Sequence, residues 1–367
     1  MALSKWDDFP LHQTAEFIAH VATSDRNFDD RYYFNCFDVE QEFFAIFGLG
    51  QYPNLGTTDA FVDVRFGDKQ YIVRMSKPLV ERSDISVGPF SIDVIEPLQV
   101  LRVVIEPGDY PVSMDLTFTG RTRAIEEPRQ YLRSKGRVVF DTQRLAQCGD
   151  WKGTITIDGK TFTVNSGIGS RDRSWGVRPV GEPEPAGIRE GILTLPGMWN
   201  YFPMQFDDHT IYYICHEGPD GVRHLVQADR VWADPEREVE ELGHAEWHHT
   251  FEPGTRLIIH STISFPEVGL TIECEPVVTN WVSIGTGYGI DQDWRHGMYQ
   301  GEDLVVQGLT LDVEEVRAIA QYGIVDHGAR FTYDGNVGYG LLEHGFFGAF
   351  PKVGLHDAYG MIPADEG

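Results

Sequence analysis

The chain has 367 residues, room for two domains at about 150 residues each, and 41% of them are hydrophobic, which excludes general disorder. Acidic residues outnumber basic ones 56 to 30, a formal charge of -26 that repels polyanions and so argues against nucleic acid and anionic membrane surfaces as partners. No apolar run approaches the ~18 residues of a membrane span, the stretch Met1–Asp8 has no signal-peptide core, and four scattered cysteines (Cys36, Cys148, Cys215, Cys274) without a CxxC read as a reduced, cytoplasmic protein.

Leu11–Val21 has a helical pattern. Ser24–Asn35 (SDRNFDDRYYFN) mixes charged and aromatic residues without clean periodicity, and is read as a lid or an edge strand tied down by Arg26 and Arg31. Ala60–Phe66 alternates, Gly67-Asp68 turns the chain, and Gln70–Met75 returns: a hairpin. Val100–Ile105, Ser113–Thr119 and Arg137–Phe140 continue the strand pattern, and Asp158-Gly159 makes a second hairpin within Gly153–Val164. The Pro/Gly-rich stretch Arg178–Gly197 is read as the connection between domains. Strands resume at Met198–Phe206, Thr210–His216, Val222–Trp232, Thr255–Phe265, Gly269–Glu275, Leu304–Leu311 and Gly323–Tyr333, with one short helix at Val313–Ala320. Helices long enough for parallel crossovers are missing, so the fold class is all-β, sandwich or barrel. A weak internal echo pairs Gly167–Gly176 (GIGSRDRSWG) with Gly285–Gly297 (GTGYGIDQDWRHG), as duplication of one β module would.

Two segments carry candidate chemistry. Strand alternation in Ser170–Gly176 puts Arg171, Arg173 and Trp175 on one face and Asp172 and Ser174 on the other. One reading is an Arg/Asp network closing a barrel, with Trp175 as its plug. The other is that Asp172 faces a cavity as a proton donor, with its pKa raised by burial and Trp175 as wall. In the second segment Asp293, His296 and Tyr299 are three apart, and acid, imidazole and phenol together suit general acid/base chemistry. Asp293 and His296 converge only if a turn intervenes, and Gly297 hints at one. Glu343-His344 and Asp326-His327 are adjacent pairs whose members face opposite ways in a strand, so neither is a ready-made dyad. His244, His248 and His249 sit in strand-like surroundings, and no metal site is expected of them. No GxSxG elbow or P-loop is present, and Gly285-Thr-Gly-Tyr-Gly lacks the context of a dinucleotide fingerprint, so no cofactor is expected.

Arg171-Asp172-Arg173-Ser174-Trp175-Gly176, together with Trp199-Asn200-Tyr201-Phe202 and Gln205-Phe206-Asp207-Asp208, resembles the lipocalin-like family of carotenoid 1,2-hydratase (hydroxyneurosporene synthase) and AttH-type proteins. The resemblance implies two consecutive lipocalin- or calycin-like antiparallel barrels or sandwiches, here residues 1–190 with an N-terminal extension and 191–367. It further implies a hydrophobic small-molecule ligand. The expected function is a cofactor-free hydratase, isomerase or cyclase acting by acid catalysis on a terpenoid, steroid or polyketide-like substrate. The alternative is a non-catalytic carrier of such a molecule. Asp172 and Asp293 are the candidate acids, and His296 or Tyr299 would position water. Trp175, Arg173, Trp199, Tyr201 and Trp294 would bind substrate.

Overall fold

The computed structural model of the chain describes residues 3–11, 17–40, 42–134, 136–179 and 196–363. The first series of strands is β1 (Phe28–Asp38), β2 (Phe43–Tyr52), β3 (Thr57–Phe66), β4 (Lys69–Pro78), β5 (Ser86–Val87), β6 (Phe90–Glu96), β7 (Val100–Ile105), β8 (Val112–Gly120), β9 (Ile125–Ser134), β10 (Arg137–Ile157) and β11 (Lys160–Val177). The second is β12 (Gly197–Gln205), β13 (His209–Glu217), β14 (Arg223–Trp232), β15 (Glu240–Glu241), β16 (Glu246–Phe251), β17 (Ile258–Phe265), β18 (Leu270–Asn280), β19 (Val305–Asp312), β20 (Val325–Tyr333) and β21 (Asn336–Phe347). One helix, α1 (Val313–Ala320), capped by the Asp312 side chain, lies where the sequence placed it. Asp158 and Gly159 both adopt positive φ, as the hairpin turn between β10 and β11 requires. Part of the expected helix Leu11–Val21 and most of the connection Arg178–Gly197 lie outside the described residues. Among the described residues no helix is long and apolar enough to cross a membrane.

The fold is nearly all β, with two curled, antiparallel half-barrel sheets. The first runs β19-β4-β3-β2-β1-β11-β10-β8-β7-β6-β5, with β9 also on β10. The second runs β15-β14-β13-β12-β21-β20-β18-β17-β16. Sheet membership follows chain order except for β19, which comes from the second half and pairs with β4 of the first sheet. Each sheet wraps its own core. In the first, Trp151 packs edge-on against Phe47 and Phe34 and tilts against Phe118, at 5.2–5.8 Å between ring centres. Its indole N–H donates to the Asn35 carbonyl at 2.8 Å, so the one polar atom of the ring is satisfied. The second core gathers Phe202, Tyr213, Phe265 and Phe346.

A third apolar cluster joins the sheets back to back: Tyr33, Phe37, Phe44, Ile46 and Phe61 from the first meet Trp199, Tyr201, Ile214 and Leu341 from the second. This layer corrects the reading of Ser24–Asn35. β1 is neither lid nor edge; it lies between β2 and β11, and all eleven of its residues are buried. Tyr32, Phe34 and Cys36 point into the first core while Tyr33 and Phe37 point at the second sheet. A strand covered on both faces loses the apolar/polar alternation by which strands are recognised.

Candidate active site

Strand alternation on β11 separates two kinds of residue. Arg171 and Arg173 are fully buried on the barrel side. Arg171 ion-pairs with Asp8 of the N-terminal 3-10 turn, donates from Nε to Gln147 Oε1 at 2.9 Å and lies over Phe118. Arg173 Nη2 meets Asp30 Oδ1 at 2.7 Å, and its guanidinium sits 3.8 Å from the Tyr32 ring centre. Asp172 and Ser174 point the other way, into a hollow of about 360 Å³ between the two sheets. That volume falls in the range of small-molecule sites.

Several elements build the wall. β1 contributes Arg31 and Tyr33, β9 and β10 contribute Glu127, Gln130, Phe140 and Arg144, and Arg178 follows β11. Across the hollow stand Trp199 and Tyr201 of β12 and Glu343 and Phe347 of β21. The loop after β18 closes one side with Tyr288, Arg295 and His296. Its glycines allow this path: Gly285, Gly287 and Gly289 all take positive φ. A Cβ on Gly287 would come within 2.5 Å of the His296 ring, whose backbone N–H donates to the Gly287 carbonyl. The motif that fails as a dinucleotide fingerprint thus brings Tyr288 and His296 to the hollow.

The acids of the hollow differ in how they are held. Glu127 Oε2 forms an ion pair with Arg144 Nε at 2.9 Å, and Arg144 also lies over the Trp199 ring. Burial raises the Glu127 pKa against the pull of Arg144. Glu343 accepts the Trp199 indole N–H and faces the buried Asp326, which also receives the Tyr33 hydroxyl at 2.7 Å. Burial raises both of these carboxyls, and each is further influenced by the other. Asp172 alone of the three wall acids makes no hydrogen bond or ion pair to protein among the described residues. Burial, reinforced by Glu127 and opposed by Arg144, lifts its pKa to about 7. It is therefore available as a neutral acid near neutral pH. His296 is the opposite case. Burial first, then Arg31 and Arg178, hold its pKa well below the usual imidazole range, so the ring is neutral. The Arg31 guanidinium reaches both of its nitrogens, at 2.5 and 3.1 Å.

A family profile described as a family of unknown function, DUF8625, matches residues 3–356. The chain belongs to the DUF8625 family. No curated protein matches this DUF8625 chain significantly. Among solved structures, a protein assigned as AttH from Nitrosomonas europaea is similar over 88% of this chain and 94% of its own, with TM-score 0.52 and 12% identity. At that identity the likeness shows the fold alone, and it is the double-calycin fold that the AttH-type resemblance implied. Kievitone hydratase from Nectria haematococca (17% identity, 87% and 88% covered, TM-score 0.47) and CghA with Sch210972 (10%, 88% and 89%, 0.47) are also similar. Both lie below the level at which a shared fold can be argued.

Of the residues singled out from the sequence of this DUF8625 protein, the structure brings Asp172, His296, Trp199 and Tyr201 to one hollow. It leaves the others off its wall. Asp293 is 82% exposed, 3.9 Å from Arg74, and Tyr299 is exposed, because their segment is a surface loop rather than a strand. Trp294 is buried beneath the Arg74 guanidinium. Arg173 belongs to the first barrel's interior, and Trp175 stands half-buried on that same side of β11. His249 is buried between Asn200 and Ser261, apart from the exposed His244 and His248. Tyr33, Glu127, Arg144 and Tyr288 are wall residues that sequence reasoning did not single out, and Arg31 was named only as a tether. Glu127 and Arg144 meet only because β9 folds back on β10 and sets them opposite each other. For Glu343 the signal was present, an acid in an apolar strand, but it was tested only against its neighbour His344.

Proposed function

We propose that the chain is a hydratase- or cyclase-type enzyme in which Asp172 transfers a proton to an unsaturated hydrophobic substrate held between the two sheets. The observation that carries this reading is a cavity carboxyl without a protein partner among the described residues, raised by burial to a pKa of about 7. Protonating an alkene or enol needs a neutral acid aimed at carbon, and Asp172 has that form near neutral pH. The C=C electron pair takes the Asp172 proton and leaves an electron-poor carbon. In hydration, water adds there and its proton returns to the Asp172 carboxylate; in cyclisation, a second double bond or an oxygen of the same molecule adds, and the proton returns likewise. Gln130, whose side-chain nitrogen has no partner among the described residues, can orient the water. Phe140, Trp199, Tyr201 and Phe347 supply flat faces for a terpenoid, steroid or polyketide-like skeleton. His296 serves here as an anchor for Arg31, because the N–H of a neutral imidazole is too weak an acid to protonate a C=C bond.

A carrier would use the same hollow without proton transfer. The two readings separate in one experiment: mass spectrometry of small molecules that co-purify with the wild type and with Asp172→Asn. An enzyme stalled by the substitution retains a different species, an isomer of the wild-type product or one lacking a water. The same molecule in both preparations would leave only the carrier.

A further inference from the structure

Arg31 differs from the other cationic groups of the hollow whose pairing is described. Arg144 is paired with Glu127, and Arg178 with Asp29 at 3.2 Å. Arg31 is 3% exposed, yet among the described residues no carboxylate lies within ion-pair distance of it. Its terminal nitrogens meet a neutral imidazole, its Nε has no partner, and the Tyr288 ring lies 5.3 Å from the guanidinium carbon. Two acids act on it through space, Asp59 and Asp29, and both are committed elsewhere. Asp59 accepts from the Tyr52 hydroxyl at 3.0 Å and from Gly297 N–H at 2.7 Å, and Asp29 takes Arg178. Burial also raises both to about 6, so around pH 6 each carries only part of its charge. A guanidinium without a contact anion is costly to bury. It is the donor that a planar, anionic oxygen group would complete.

We infer that Arg31 receives an acidic oxygen group of the ligand, a carboxylate or an enolate-type oxyanion, so that the molecule bound in the hollow is an acidic hydrophobe. This rests on the reading of the hollow as the substrate site and is independent of the reaction. Register adds a length. Tyr33 pairs with Asp172 and Arg31 with Ser174, so Arg31 and Asp172 are diagonal neighbours on one face, roughly 7–8 Å apart. The oxyanion and the carbon that Asp172 protonates are spaced to match. The charge of -26 on the whole chain opposes any anion, so a preference for one has to arise inside the hollow.

Isothermal calorimetry of the full chain at pH ~6 and low salt, with 1-naphthoate and its neutral counterpart 1-naphthalenemethanol as probes, tests this. The carboxylate is expected to bind the wild type about tenfold or more tightly than the alcohol. In Arg31→Gln the preference disappears while the alcohol binds as before, and Arg31→Lys keeps part of it. Equal binding of the two probes to the wild type, binding of neither, or a preference unchanged in Arg31→Gln overturns the inference. The wild-type comparison stands even if the Gln variant fails to fold. Asp172→Asn leaves the preference in place, so a failed proton donor and a failed anion receptor give different results.

Discussion

The barrel side of β11 and its cavity side hold charge in opposite ways one residue apart. Arg171 and Arg173 are sealed against Asp8 and Asp30, stacked on Phe118 and Tyr32, with no solvent contact. Asp172, between them in sequence, points at the hollow with no partner among the described residues and a pKa near 7. Charge answered by charge fixes a structure, whereas charge left unanswered in a cavity is available for chemistry. Strand alternation alone separates the two.

The contrast breaks most severely on the barrel side. Arg171→Leu strands the Asp8 carboxylate in the core and is expected to cost about 3–5 kcal/mol in urea unfolding. A loss below about 1 kcal/mol would mean that the pair holds nothing together. Next comes Asp172→Asn, which keeps the shape and removes the proton. With the substrate supplied by the co-purification experiment, turnover should fall about 100-fold or more, with binding unchanged and no loss of stability.

The pH dependence sharpens the same contrast. Asp172 titrates at about 7 in the folded chain against an ordinary 3.8, so folding favours its protonated form. Its contribution to stability is full below pH ~4 and is lost as pH rises towards and through ~7. Relative to Asp172→Asn, the wild type should therefore lose stability between pH ~4 and ~7 and then level off, followed by thermal unfolding across that range. Turnover that depends on the neutral acid declines as pH rises through ~7. The smallest effect belongs outside the hollow. Asp293→Asn removes an 82% exposed carboxylate 3.9 Å from Arg74, and stability should change by less than about 0.5 kcal/mol with turnover intact. A large loss of turnover there would move the site out of the hollow.

Most strands were legible, because hairpins with Gly-Asp or Asp-Gly turns announce themselves through turn chemistry and runs of strand-forming residues. Val100–Ile105 and Val313–Ala320 match the expected bounds. β1 was misread because its Asp29, Asp30 and Arg31 read as surface charges, whereas all three are buried, Asp29 against Arg178 and Asp30 against Arg173. The second candidate segment went astray for another reason. Asp293, His296 and Tyr299 share a spacing, but a loop coiled on positive-φ glycines sends only His296 inward.

The sequence by itself determined the all-β class, the main hairpins and the division of Arg171, Asp172 and Arg173 between opposite faces, since these follow from local turn geometry and the two-residue period of a strand. Which face is the cavity was decided by tertiary structure. Asp172 becomes an available acid because the second sheet lays Trp199, Tyr201 and Glu343 over it, and because Glu127 arrives from β9 already paired to Arg144. Those contacts join residues far apart in the chain, and burial, which moves the Asp172 pKa, is a property of the packed sheets that no short stretch of sequence carries.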